Sequence, residues 1–179
     1  MERAAPILFR SPRFLSDDAL LAESREDHYR GSGPGGQKRN KTSNAVRIVH
    51  GPTGVVVTAT ESRSLKENRL QAIRRLRNRL AADVREPVDL VRFAPPDWFL
   101  SIRHDTRIEA SHRHPYHAPA AGLVLDLLAA LGGNPAAVAV NLGVSTTAVV
   151  KLLESEGEFW QAANRIRAAH GLEALTHRR

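Results

Sequence analysis

Val46-Arg47-Ile48-Val49-His50-Gly51-Pro52-Thr53-Gly54-Val55-Val56-Val57-Thr58-Ala59-Thr60 reads as two strands joined by a turn. Valine, isoleucine and threonine dominate the runs 46–50 and 55–60, because branched side chains pack well on a pleated surface. Gly51 to Gly54 has the composition of a four-residue hairpin connection. Downstream, Leu70, Ile73, Leu76, Leu80 and Val84 recur at three- and four-residue spacing. That period predicts a helix from Leu65 to about Val84, with these residues as its buried stripe. Arg69, Arg74, Arg75, Arg77 and Arg79 fill most of the remaining circumference. The expected core is α+β: a small sheet packed on one long helix.

Upstream of the hairpin, a short strand around Glu26–Arg30 is expected to lead into Gly33-Pro34-Gly35-Gly36-Gln37. Glycines tolerate positive φ and let a backbone approach a ligand closely, since no Cβ intervenes. A tight surface turn has the same composition, so the glycines alone do not separate the two readings. Lys38-Arg39-Asn40-Lys41 follows at once. Residues 30–80 hold twelve Lys/Arg against Glu61 and Glu67, a net of +10, which leaves −3 for the rest of a chain whose total is +7. A charge excess confined to the segment with the glycine loop points to a polyanionic partner, nucleic acid in particular.

From Arg30-Gly31-Ser32-Gly33-Pro34-Gly35-Gly36-Gln37-Lys38-Arg39-Asn40 through Ala45-Val46, the chain resembles the catalytic-domain signature of class I peptide chain release factors. That family includes codon-independent ribosome-rescue hydrolases. The resemblance continues through Pro52-Thr53-Gly54-Val55-Val56-Val57, Arg63-Ser64, Asn68-Arg69 and Ala72, and covers about residues 25 to 85. It implies a loop that enters the ribosomal peptidyl-transferase centre and promotes hydrolysis of the ester joining the nascent peptide to P-site tRNA. Gly35, Gly36 and Gln37 carry over as the catalytic motif, with water as nucleophile and the backbone N–H of Gln37 stabilising the transition state. By the same likeness, a methyltransferase acting on the Gln37 side chain is an implied partner. Lys38, Arg39, Asn40, Lys41, Arg47, Arg63, Arg69, Arg74 and Arg75 would contact rRNA or tRNA. Many family members have His then Val or Ile where this chain has Lys38-Arg39, and Ser or Thr in place of Asn44. Gly31 also stands where a small hydroxylated residue or Ala is common.

The loop's chemistry fits its composition. No nucleophile–base–acid trio stands near it, and no His/Asp/Glu spacing suits a metal. Catalysis there would work by positioning and backbone electrostatics, and a backbone N–H needs no pKa of its own for that. No cofactor is expected.

At 179 residues the chain has one or two small domains, and its lack of cysteine excludes disulfides and suits a reducing cytosol. No apolar run approaches the roughly 18 residues of a membrane span, and the first 25 residues lack an apolar signal core. Arg3, Arg10 and Arg13 resemble an organellar presequence, but Asp17, Asp18 and Glu23 follow them closely. A cytoplasmic location is the expectation. Four segments are anticipated: residues 1–24, an irregular basic lead-in with a short helix capped by Ser16; 25–85, the catalytic domain; 86–117, a Pro- and His-rich linker with one helical turn near Trp98–Ile102; and 118–179, a helical domain. His104, His112, His114 and His117 are expected at the surface or facing RNA. An amphipathic helix carries Leu123, Val124, Leu127, Leu128 and Leu131 and ends at Gly132-Gly133. Ala139, Gly143, Ser145 and Val149 then have the spacing of a helix-turn-helix-like unit, and Phe159, Trp160, Ala163 and Ile166 face inward from a last helix.

That unit raises a DNA-binding regulator as an alternative. Residues 118–176 carry Lys151, Arg165 and Arg167 against five acids, a net of −2. Phosphate attraction dominates DNA affinity, so this charge disfavours DNA and favours a packing unit or a protein- or rRNA-docking surface. A ribosome- or RNA-binding factor without catalysis is the other alternative. With about 30 residues before the loop there is no room for a codon-recognition domain, and His177-Arg178-Arg179 follows an ordered module rather than a long basic tail. Codon-independent action on ribosomes or split large subunits is therefore the anticipated function.

Overall fold

A computed structural model describes residues 11–29 and 44–176. A 3-10 turn at Pro12–Phe14 precedes α1 (Asp17–Ala22), whose Ser16 cap accepts from the Ala19 N–H. Strands β1 (Ser24–Tyr29), β2 (Ala45–His50) and β3 (Val56–Ala59) form an antiparallel sheet in that order. Val46 and Ile48 point inward with Val57 and Ala59, while Arg47 and Thr58 point outward, as the two-residue period of a strand requires. The predicted turn forms, with Gly54 at φ +69° and its N–H donating to His50 O at 2.8 Å.

Helix α2 (Leu65–Asp83) lies across the inner face. Its buried Ala72, Ile73, Leu76 and Leu80 share a core with Leu20, Val46, Ile48, Val57 and Ala59, and Asn68, Asn78, Ala81 and Ala82 are buried as well. Leu70 is not among them: it is 53% exposed, and Asn68 and Ala72 hold the inner positions at that end. The stripe is thus rotated from the predicted one, because Leu70 sits about 160° around the helix from Asn68 at roughly 100° per residue, off the face that meets the sheet.

Beyond α2 the chain makes a short helix, α3 (Asp97–Leu100), and a two-residue hairpin of β4 (Arg103–His104) and β5 (Arg107–Ile108). Then come α4 (His117–Ala130), α5 (Pro135–Leu142), α6 (Thr146–Glu154) and α7 (Gly157–Ala169). Helix α4 is not amphipathic. It is buried nearly all round, from Ala118 to Leu128, and packs against α2, α5, α6 and α7. Pro119 fits because it lies in the first turn, where its missing N–H has no intrahelical partner to lose.

The α5–α6 turn matches its prediction closely. Gly143 takes φ +66°, and the Val144 N–H closes onto Ala139 O at 3.0 Å. Ser145 then caps α6 by accepting from the Ala148 N–H at 3.1 Å, and Val149 is fully buried. Phe159 and Ala163 are buried beneath it, with Trp160 and Ile166 half-buried at the margin. Among the described residues no single helix is long and apolar enough to cross a membrane.

The lead-in contains more structure than its composition suggests. Arg13 is 3% exposed and reaches Asp126 on α4, with Nη2 at 3.1 Å from Oδ1, and it also donates to Val84 O. Arg85 approaches the same carboxylate at 2.9 Å, and the Glu86 N–H donates to it at 3.1 Å. Burial pushes the Arg85 guanidinium down to about 10 against the opposing pull of Asp126, so it stays charged at neutral pH. Gly122 makes room for this cluster, since a Cβ there would stand 2.8 Å from the Arg13 guanidinium.

Candidate functional site

The connection between β1 and β2 carries the glycine loop. Its flanking residues, Tyr29 and Ala45, are register partners, so both stems leave one end of the sheet side by side. Gly35, Gly36, Gln37, Lys38, Arg39, Asn40 and Lys41 lie outside the described residues.

Two consecutive residues of α2 hold the two stems. Asn68 is completely buried, and its Nδ2 donates to Asn44 O at 2.6 Å and to Ser62 O at 2.8 Å. Its Oδ1 accepts from the Ser62 N–H at 2.9 Å, so one amide joins the returning stem to the β3–α2 connection. The Asn44 side chain adds a bond to Arg63 O at 2.7 Å. Arg69 serves the other stem: its Nε donates to both Glu26 oxygens, at 3.1 and 3.0 Å. His28 Nε2 lies 2.8 Å from the same carboxylate.

Burial alone would raise the Glu26 carboxyl, but hydrogen bonds from His28 and Arg69 outweigh it and hold the group below the ordinary carboxylate range. A depressed value means the cluster stabilises the fold at neutral pH, and that contribution is lost as the pH falls through the lowered value.

Asn68→Ala is expected to remove about 1–3 kcal/mol of stability, because it strands backbone groups of Asn44 and Ser62 at a buried position. Urea unfolding of the two proteins measures it; a change within about 0.5 kcal/mol would contradict the tether. Asn68 was legible as part of a family signature but not as a tether. The available signal is its spacing: a polar residue four, eight and twelve positions before Ala72, Leu76 and Leu80, on the apolar face.

The predicted basic residues separate into two groups. Arg69 pairs with Glu26, and Arg75 pairs with Glu61 at 2.7 Å while also donating to Thr58 O. The hydrogen bond from Arg75 is the main reason the Glu61 carboxyl lies below its usual value. Arg77 and Arg79 pair likewise with Asp17 and Asp83. Much of the α2 charge is thus already shared with carboxylates. Arg47, Arg63 and Arg74 are exposed instead, Arg47 on the outer face of the central strand beside Asp27 and Thr58.

The histidines also divide. His104 and His112 are exposed and His114 is half-buried, but His117 is 4% exposed. Its Nδ1 bonds Ala110 O at 2.8 Å and its Nε2 lies 3.2 Å from Ser155 Oγ, so it is a packing residue at the start of α4 rather than a surface one. Among the described residues, no three His, Asp or Glu side chains converge as metal ligands.

Comparison with protein-family models matches residues 21–89 to the RF-1 domain. Residues 21–89 are an RF-1 domain. The match takes in less than half of the chain and supports kinship of this segment with the catalytic domain of class I release factors. The chain is 52% identical over 65 residues to peptide chain release factor 1 of Nocardioides sp. and 54% identical over 65 residues to that of Kineococcus radiotolerans. It is 51% identical over 71 residues to peptide chain release factor 1 of Caulobacter vibrioides. These matches cover 36–40% of this chain and 18–20% of the relatives, so the chain spans about a fifth of their length. The RF-1 domain takes in β1, β2, β3 and α2, including both stem tethers, and ends before α3.

Proposed function

We propose that this protein is a codon-independent peptidyl-tRNA hydrolase of ribosomes or separated large subunits, acting in the cytoplasm. The observation that carries the reading is the Gly35-Gly36-Gln37 triplet within an RF-1 domain, on the connection between the paired ends Tyr29 and Ala45. In this reading the loop enters the peptidyl-transferase centre. The Gln37 backbone N–H meets the charge that develops as water attacks the ester and the 3′-oxygen departs. The Gln37 side chain shapes the space for that water and is the group a methyltransferase would modify. Lys38, Arg39, Asn40, Lys41, Arg47 and Arg63 contact RNA, phosphates above all, and set the register of the loop. Arg69 and Arg75 contribute by bracing Glu26 and Glu61 as well as by any charge they present outward.

Codon independence is supported by how the parts flanking the RF-1 domain are used. Residues 11–20 and α3–α7 fold against α2 and one another, with Arg13 buried at Asp126 on α4. Both flanks therefore serve as a brace for the catalytic domain. The α5–α6 unit fits a packing or docking role better than a DNA reader, because its exposed Thr146, Thr147 and Lys151 are followed by Glu154, Glu156 and Glu158.

Peptide release from 70S complexes with a stop codon, a sense codon or no codon in the A site tests this part. Equal rates, or a faster rate on isolated large subunits, are expected. A strong preference for stop codons would contradict codon independence while leaving hydrolysis intact.

A further inference from the structure

A groove of about 610 Å³ runs along α2 from Leu70 to Asn78, lined also by residues 13–17 and by residues 112–119 at the turn into α4. It falls within the roughly 300–1,000 Å³ typical of ligand clefts. Its floor is apolar and open: Leu70 is 53% exposed and Phe14 42%, with Ile73 beneath. Two exposed arginines line it, Arg74 on α2 and Arg113 on the turn before α4.

These two arginines differ from their neighbours. Arg69, Arg75, Arg77 and Arg79 of α2 each pair with a carboxylate, whereas Arg74 and Arg113 make no hydrogen bond or ion pair among the described residues. Asp17 lines the groove as well, but its charge is met by Arg77 at 2.6 Å. Phe14, His114 and Tyr116 line it too, and Trp98, outside the lining, joins them: ring centroids lie 5.5 Å apart for His114 and Tyr116, 5.4 Å for Tyr116 and Trp98, and 5.2 Å for Trp98 and Phe14, all tilted or edge-on.

We propose that this groove binds a single-stranded segment of RNA, with bases against Phe14, Leu70 and His114 and phosphates between Arg74 and Arg113. Unpaired arginines form charge-assisted, often bidentate bonds to phosphate. Exposed rings and aliphatic side chains give unstacked bases a surface on which to rest. A duplex hides its base faces and would use only the arginines, so a strand, loop or flipped nucleotide fits best. An acidic peptide would meet the arginines but leave the ring-lined floor without a matching partner. The inference rests on the proposed function only for ribosomal RNA as the source of the strand, and the groove lies largely outside the residues matched to the RF-1 domain.

The full chain is mixed with an eight-nucleotide RNA carrying 4-thiouridine, crosslinked, and the modified peptides are mapped. Crosslinks on Phe14, Leu70 or residues 112–116 are expected. In fluorescence anisotropy with the same RNA, Arg74→Glu with Arg113→Glu should weaken binding about tenfold or more and reduce the salt slope by about 1.4, near 0.7 per lost contact. Leu70→Ser, at an exposed position, should weaken binding several-fold with the slope unchanged. Lys151→Glu on α6, a charge reversal elsewhere, should change it less than twofold.

Crosslinks confined to residues 30–43, an equal loss with Lys151→Glu, or displacement of the RNA by an acidic peptide of equal charge would each overturn the proposal. Gln37→Ala should keep the groove crosslinks. Loss of peptide release with crosslinks intact therefore bears on the catalytic loop, and the reverse bears on the groove.

Discussion

Gly36→Ala is expected to lower the rate of peptide release from P-site peptidyl-tRNA by about 100-fold or more, with the fold unchanged. The estimate follows from the role of a backbone N–H aimed at developing negative charge: removing one such donor typically costs about 10²–10³ in rate. A methyl group at Gly36 adds a Cβ beside Gln37 and restricts the backbone conformations that bring its N–H to the reacting oxygen. A glycine brings no side chain to a hydrophobic core, so thermal unfolding should be within about 0.5 kcal/mol of wild type. Ribosome binding should persist through Lys38, Arg39, Lys41 and Arg47. Single-turnover release and pelleting with ribosomes measure the two quantities separately. Release at the wild-type rate by Gly36→Ala would remove the loop from the mechanism.

The second large effect is structural. Asp126→Ala should destabilise the protein by about 3–5 kcal/mol, because it leaves the guanidiniums of Arg13 and Arg85 without their shared carboxylate in a buried position. Exposed ion pairs set the comparison. Arg75→Ala, which breaks the pair with half-exposed Glu61, should cost no more than about 1 kcal/mol. Urea unfolding of both variants checks the contrast. A loss of less than about 1 kcal/mol for Asp126→Ala would show that water reaches the cluster and that it does not join α4 to the lead-in. The cluster matters for function because the lead-in, the end of α2 and α4 meet there, so it fixes the RF-1 domain against the helices.

The difference between these two regions also explains what could be read from residues alone. The hairpin, α2 and the α5–α6 turn were legible because each rests on local rules: branched residues and a Gly-Pro turn, a helical period, and Gly143 with Ser145 at fixed offsets. Strand β1 was placed two residues late, since Ser24-Arg25-Glu26-Asp27-His28-Tyr29 has no apolar alternation and is specified by pairing with β2. Arg13 and Asp126 lie 113 positions apart, and no local pattern couples them. His117 reads as one of four loop histidines, but it opens α4 and is buried against Phe159 and Ser155.

Within the candidate site, the triplet and its basic neighbours were legible as residues. The role of α2 in it was not. A run of arginines reads as a phosphate-binding surface, and the carboxylates that meet Arg69, Arg75 and Arg77 come from β1, the β3–α2 connection and α1. Only the packing of those elements shows which charges are shared and which, such as Arg74, face outward.

The most direct measurement is release of labelled peptide from large subunits and 70S ribosomes carrying P-site peptidyl-tRNA and an empty A site, comparing wild type with Gln37→Ala. The account predicts catalysed release by wild type without a stop codon and a loss of most of it in the variant, with both proteins bound. Tight binding by both proteins with no release by either would contradict it and identify a ribosome-binding factor that does not hydrolyse the ester.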